Sequence, residues 1–263
     1  MSRIHYLAEY LRQPVHPISV QLVGLGGTGS NVLRGLAFMN QALIGMGQMG
    51  LMVTAFDPDF VSDTNTKRQL FYKADVGESK AQVLISRYNR SFGTHWRSHQ
   101  CTYEKSFMSS CMCNILLTCV DTGIARKNIA KHLDTIPTSK KCEPFDQRFY
   151  WMDFGNSRDS GQIILGSEKI PQPKEEEGYP KSIAKLKNVV ELYPDIDKFD
   201  ITEEQGPSCS TQQALNRQDL FINTTIADLG LMLLWQLLRN FNTPFQGIFF
   251  NGKTFQSNPM TIQ

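Results

Sequence analysis

Residues 23–32 read VGLGGTGSNV, four glycines within six positions, straight after the apolar run ISVQLV (18–23) and straight before a helical stretch. Glycine reaches backbone conformations closed to other residues and lets a ligand or another strand come close. Gly24, Gly26 and Gly29 fit G-x-G-x-x-G, with Gly27 between them. Such a turn aims backbone N–H groups and the positive end of a helix at a phosphate. Taken alone, the pattern also fits a tight strand-to-helix turn with no ligand.

Working outward, strand and helix patterns alternate. ISVQLV reads as a buried strand, and a helix is expected from about Ser30 to Leu43. LMVTAF (51–56) is a second buried strand ending at Asp57. ESKAQVLISRYNRS (78–91) has helical spacing, with Ala81, Leu84, Ile85 and Tyr88 on one side. NILLTCV (114–120) is a third strand followed by a helix, RFYWMDFG and GQIILG are two more strands, and the C-terminal end reads as one or two edge strands. This order predicts an α/β fold, Rossmann-like, with a mostly parallel sheet and helices on both faces. Ligands of such sheets lie beyond the carboxyl ends of the strands, where the glycine turn, Asp57 and Asp121 all fall.

Composition narrows the function. Lys and Arg number 27 against 25 Asp and Glu, spread without a basic tract, so nucleic acid is not an expected partner. The N-terminal stretch MSRIHYLAEYLRQP has no apolar signal region, which predicts a cytoplasmic chain with reduced thiols. LFINTTIADLGLMLLWQLL (220–238) has the length of a membrane span, but Asn223, Asp228 and Gln236 interrupt it; a buried helix is expected instead. From about Ser167 the chain turns rich in Pro and charge. One domain covering 1–263 is expected, with an irregular loop or linker at about 167–213, outside the core.

After the second strand comes DPDFVSDTNTKRQLFYKADVGESKAQV, a long loop carrying Asn65, Arg68 and Gln69, with Lys80 opening the next helix. Asp57 suits a ribose contact. Two cations beside a phosphate turn suit a triphosphate, which Arg grips in pairs and Lys neutralises as a point charge. Asp121 adds a carboxylate at the same edge, suited to Mg²⁺ or to capping the following helix.

At this point GLGGTGSNV, DPDFVSDTNTKRQLF, DVGESKAQV and CVDTGIAR resemble, in order, the motif series of the ThiF/MoeB/E1-like adenylating enzymes. The likeness covers about residues 18–135 well and extends loosely to the helix at 220–238. DFGNSRDSGQIILG and PSCSTQQALNRQDLFINTTIADLG are similar to the ThiF family of PRTRC plasmid systems. The resemblance implies binding of ATP and Mg²⁺ and transfer of AMP to the C-terminal glycine of a small ubiquitin-like protein. It implies nucleotide contacts from Gly24, Gly26, Gly27, Gly29, Asp57, Asp59, Asn65, Gln69 and Asp121, with Asp121 also the metal ligand. Arg68 and Lys80 would act on the phosphates, and Cys209, in GPSCSTQQ, could capture the acyl adenylate as a thioester.

Two features depart from the family. The paired CxxC motifs of many relatives are missing, so no structural zinc is expected; and Asp121-Thr122 stands where Asp-Asn is common. The helix around Leu231–Leu238 is expected either to complete the core or to bury a homodimer contact. Two other readings compete: a catalytically silent adenine-nucleotide-binding scaffold, and an NAD- or FAD-dependent oxidoreductase. The latter gives Arg68 and Lys80 no task. The remaining cysteines, Cys101, Cys111, Cys113, Cys119 and Cys142, and the five histidines are expected to pack or to be incidental.

Overall fold

The computed structural model describes residues 3–106, 113–136, 143–174, 180–200 and 219–263. The strands are β1 (His5–Tyr6), β2 (Ile18–Val23), β3 (Leu51–Phe56), β4 (Arg97–His99), β5 (Ile115–Thr118), β6 (Tyr150–Asn156), β7 (Ser160–Ser167), β8 (Asn242–Thr243), β9 (Phe245–Asn251) and β10 (Gln256–Thr261). The helices are α1 (Gly27–Gly45), α2 (Lys80–Phe92), α3 (Gly123–Thr135), α4 (Val189–Leu192) and α5 (Ile222–Asn240).

The main sheet runs β10-β9-β7-β6-β5-β2-β3-β4. From β6 to β4 every neighbouring pair is parallel, whereas β6/β7, β7/β9 and β9/β10 are antiparallel. The expected α/β architecture with helices on both faces is therefore present. Its central strands β2, β3 and β5 are mostly apolar because both of their faces are covered. Ile115 and Leu117 pack with α1, α2 and α5, while the intervening Leu116 packs with Ile129 and Leu133 of α3.

Local chemistry sets the helix ends. Ser79 caps α2 by accepting from the Gln82 N–H, and Gly93 closes it in the left-handed region at φ 66°. α1 starts at Gly27, three residues before the expected Ser30, because the glycine turn itself supplies its first turn. α5 completes the core: Leu231, Leu233, Leu234, Leu237 and Leu238 are all buried within the chain. No helix among the described residues is long and apolar enough to cross a membrane.

The stretch after β7 differs from the expectation that it lies outside the core. Ile170, Leu186 and Val189 are buried, and Asn188 with Glu191 forms a capping box at α4. Sparse apolar residues among prolines and charges were enough to hold this segment down. Its last described residue, Asp200, accepts from the Gly123 and Ile124 N–H groups at the start of α3 (2.5 and 2.9 Å).

Candidate active site

The strand order reverses between β2 and β5, so the turns that follow them diverge to opposite faces and leave a crevice at the carboxyl edge. The glycine turn lies there. Gly24 has φ 85°, and a Cβ on it would lie 2.8 Å from the Cys119 carbonyl oxygen, where the chain leaves β5. A Cβ on Gly29 would overlap the carbonyl oxygen of Gly24. Neither position accepts another residue without moving backbone. At Gly26 the nearest atom to such a Cβ is Gln69 Nε2, 3.9 Å away, so the turn is open towards the Gln69 side chain.

Asp57 is buried at the end of β3. One of its oxygens accepts from the Leu25 N–H (2.5 Å) and the other from the Asp59 N–H (2.9 Å), so its carboxylate pins the glycine turn. Burial raises its pKa above the ordinary carboxylate value; Lys80 and the two N–H donors oppose that rise. The Lys80 ammonium donates to Asp59 (2.8 Å). Its side chain is 9% exposed while that of Asp59 is 62% exposed, so a buried cation has a partner in solvent.

The loop between them is shaped by Asn65. Its side-chain oxygen accepts from the Ser62 N–H (2.9 Å), and its carbonyl accepts from Arg68 and Gln69. Arg68 and Gln69 are half-buried, and Gln69 Oε1 is a buried acceptor with no hydrogen-bond partner among the described residues. Asp121 is exposed just beyond β5. The helix cap, which Asp121 could also have supplied, comes from Thr122, whose hydroxyl accepts from the Ala125 N–H (3.2 Å). Asp121 is left one residue ahead of that cap. Cys209 lies outside the described residues, as do Cys111 and Cys142.

The structure thus brings the glycine turn, Asp57, Asp59 and Lys80 together, with Gln69 beside the turn and Asp121 at the end of the adjacent strand. The model of the ThiF family matches residues 5–133. Over this segment, just under half of its length, the chain is similar to the ThiF family. Its fold is similar to that of MccB from E. coli with succinimide, at a TM-score of 0.59 and 14% identity over 93% of this chain and 63% of that one. It is also similar to MccB with ATP (0.56, 13%, 93% and 63%) and to PaaA (0.53, 11%, 93% and 64%). The chain therefore spans a little under two thirds of the length of these structures. No curated protein matches it.

Further residues gather at this edge without any motif role to mark them. Arg126 of α3 and Asp153 of β6 form a buried ion pair at 2.9 Å. Arg126 also donates to the carbonyls of Thr122 and Phe154 (3.1 Å each), and Asp153 accepts from the Thr118 hydroxyl (2.6 Å). Arg126 stands in the quoted CVDTGIAR, but nothing in its spacing points to a partner 27 residues away. Asn223 of α5, noted only for interrupting an apolar run, reaches the first turn of α1. Among the other cysteines, Cys113 is buried with its pKa pushed up to about 12 by burial, and burial raises that of Cys119 as well. Both are held as thiols, unsuited to nucleophilic attack.

The residues present fit a nucleotide triphosphate. The open glycine turn and the buried Lys80 ammonium suit its phosphates, while the Gln69 amide oxygen and the Asp57 carboxylate can accept from its sugar or base. For Mg²⁺, no cluster of three or more acidic, His or Cys side chains occurs among the described residues. Asp121 offers one carboxylate, which suits an ion that keeps most of its ligands as water and phosphate oxygen.

Proposed function

We propose that this protein adenylates the C-terminal glycine carboxylate of a small ubiquitin-like protein, using ATP and Mg²⁺. The observation that carries the reading is Lys80: a buried cation, paired with an exposed carboxylate, next to a pinned glycine turn. Its charge is available to a phosphate in exchange for Asp59. The amides opening α1 would receive phosphate oxygens, with Arg68 and Lys80 neutralising them, Asp57 and Asp59 contacting the ribose, and Gln69 and Asn65 lining the turn. Asp121 would hold Mg²⁺, which supplies charge stabilisation at the phosphates.

A carboxylate oxygen of the partner attacks the α-phosphorus, the bond to the bridging oxygen breaks, and pyrophosphate leaves with its electron pair. Both reactants are negative, so fixed cations lower the barrier by stabilising charge on the phosphate oxygens, and the sheet edge supplies orientation. The acyl adenylate formed could then pass to the Cys209 thiolate, with AMP as the leaving group. We further propose that the whole chain acts as one domain, in the cytoplasm and as a homodimer, and that it falls in the PRTRC branch of the family. The dimer and the branch rest on the resemblance in sequence, the single domain on length and composition, and the location on the absence of an apolar signal region in MSRIHYLAEYLRQP.

ATP–pyrophosphate exchange with a glycine-ended candidate protein tests the reading. Exchange that is lost in Asp121→Ala and kept in Cys209→Ala is the expected result. ATP binding without exchange for any carboxylate partner would favour the silent scaffold, and tight binding of a reduced dinucleotide in place of ATP would favour the oxidoreductase.

A further inference from the structure

The first turn of α1 is held from outside by one side chain. Asn223, the second residue of α5, is 4% exposed. Its Oδ1 accepts from the Thr28 hydroxyl (2.9 Å) and from the Asn156 side-chain amide (2.8 Å). A Cβ on Gly27 would lie 2.6 Å from its Cγ, so the backbone of the turn rests directly on this amide. Further along the same two helices, a Cβ on Gly35 would overlap Leu231. Positions 27 and 35 on α1, like 223 and 231 on α5, are eight residues apart and share a helix face.

An apolar side chain would satisfy the packing of α1 on α5. A buried amide is costly unless its hydrogen bonds are met, and here they link three elements: the glycine turn, the carboxyl end of β6 and the start of α5. We infer that Asn223 is a positioning residue for the nucleotide site. It holds Gly27 and Thr28, whose N–H groups have no helical acceptor, in the direction a phosphate requires. Through Asn156 it ties that direction to β6. The inference rests on reading the glycine turn as a nucleotide site.

The test uses the full chain. ATP dissociation constants by calorimetry and melting temperatures are compared for wild type, Asn223→Ala, Thr28→Val, the double variant and Leu231→Ala. Displacing the turn by a fraction of an ångström is expected to weaken ATP binding about tenfold in Asn223→Ala. Thr28→Val should show a comparable loss, and the double variant little more than the larger single effect, because both remove one shared hydrogen bond. Leu231→Ala should lower the melting temperature by several degrees and leave ATP affinity within about twofold of wild type. An Asn223→Ala protein that melts lower but binds ATP like wild type overturns the inference, since the residue would then only pack. Wild type that binds no ATP removes the underlying reading and the inference with it, a result distinct from the former. Should Asn223→Ala fail to fold, unchanged affinity in Thr28→Val is the overturning result.

Discussion

Two buried cations stand at the same edge of the sheet and are held in opposite ways. Arg126 is surrounded: Asp153 at 1% side-chain exposure faces it, Thr118 holds Asp153, and two backbone carbonyls accept one hydrogen bond from each of its terminal nitrogens. Lys80 is equally buried, yet its partner Asp59 is mostly in solvent. A closed network fixes geometry, because removing either member strands the other. A pair with one exposed member is worth about 0–1 kcal/mol and exchanges readily. The first arrangement builds the end of β6 and the start of α3; the second leaves a cation that a ligand can claim.

The contrast breaks most visibly at Asp153. Asp153→Ala leaves the Arg126 guanidinium buried and uncompensated, at a cost of about 3–5 kcal/mol. Thermal unfolding should show a fall of roughly ten degrees or more, and an unchanged melting temperature would erase the distinction between the pairs.

Lys80→Ala sits on the other side of the comparison. Exchange activity should fall about 10²-fold, as when one preorganised charge is taken from a transition state, while the melting temperature moves by only a few degrees. Loss of folding without a specific loss of ATP binding would make Lys80 a structural cation like Arg126.

A third buried group, held neutral, sharpens the picture. His5 donates from Nδ1 to the Ile183 carbonyl (2.6 Å), and its Nε2 meets the Tyr150 hydroxyl (3.2 Å), an assignment of the tautomer that follows from those partners. Burial lowers its pKa below 6.5, outweighing the Ile183 carbonyl. The unfolded chain therefore takes up a proton near pH 6.5 that the folded chain refuses. Its contribution is complete above that pH and is lost as pH falls below it, towards the lowered folded value. Melting temperature should drop from pH 7.5 to 5.5, and His5→Gln should flatten part of that slope. His99, lowered by burial and then by Arg97, acts in the same direction and accounts for a further part.

The smallest effect belongs to Asp59→Asn. With an exposed partner lost, stability should change by less than about 1 kcal/mol. A larger change, read by the same thermal unfolding, would mean that the open pair is structural after all.

Much of the parallel half was legible in the sequence. β2, β3 and β5 are short apolar runs ending at glycine or aspartate, and the α2 face is periodic from Ala81 to Tyr88. β4 was not legible: Arg97–His99 is a three-residue polar edge strand, held to β3 by its backbone ladder and by the His99 ring stacked on Phe56. Nor was the anchoring of 180–200, where Leu186 stands between two lysines and Val189 opens a helix of only one turn. At the site, the glycines, Asp57 and Lys80 were visible because each occupies a motif position. Asn223 and Asp153 were not, since a buried polar residue differs from an exposed one only by what surrounds it.

Sequence alone determined the glycine turn, the alternation of strand and helix, and the chemical types gathered at the carboxyl edge. These are local matters, set by backbone freedom and by the spacing of apolar residues. The tertiary structure decided which charges are closed in and which stay exchangeable, that Thr122 and not Asp121 caps α3, and that α5 supports the glycine turn. Those depend on contacts between residues as far apart as Thr28 and Asn223, and burial, which sets the cost of every polar group, is a property of the packed chain.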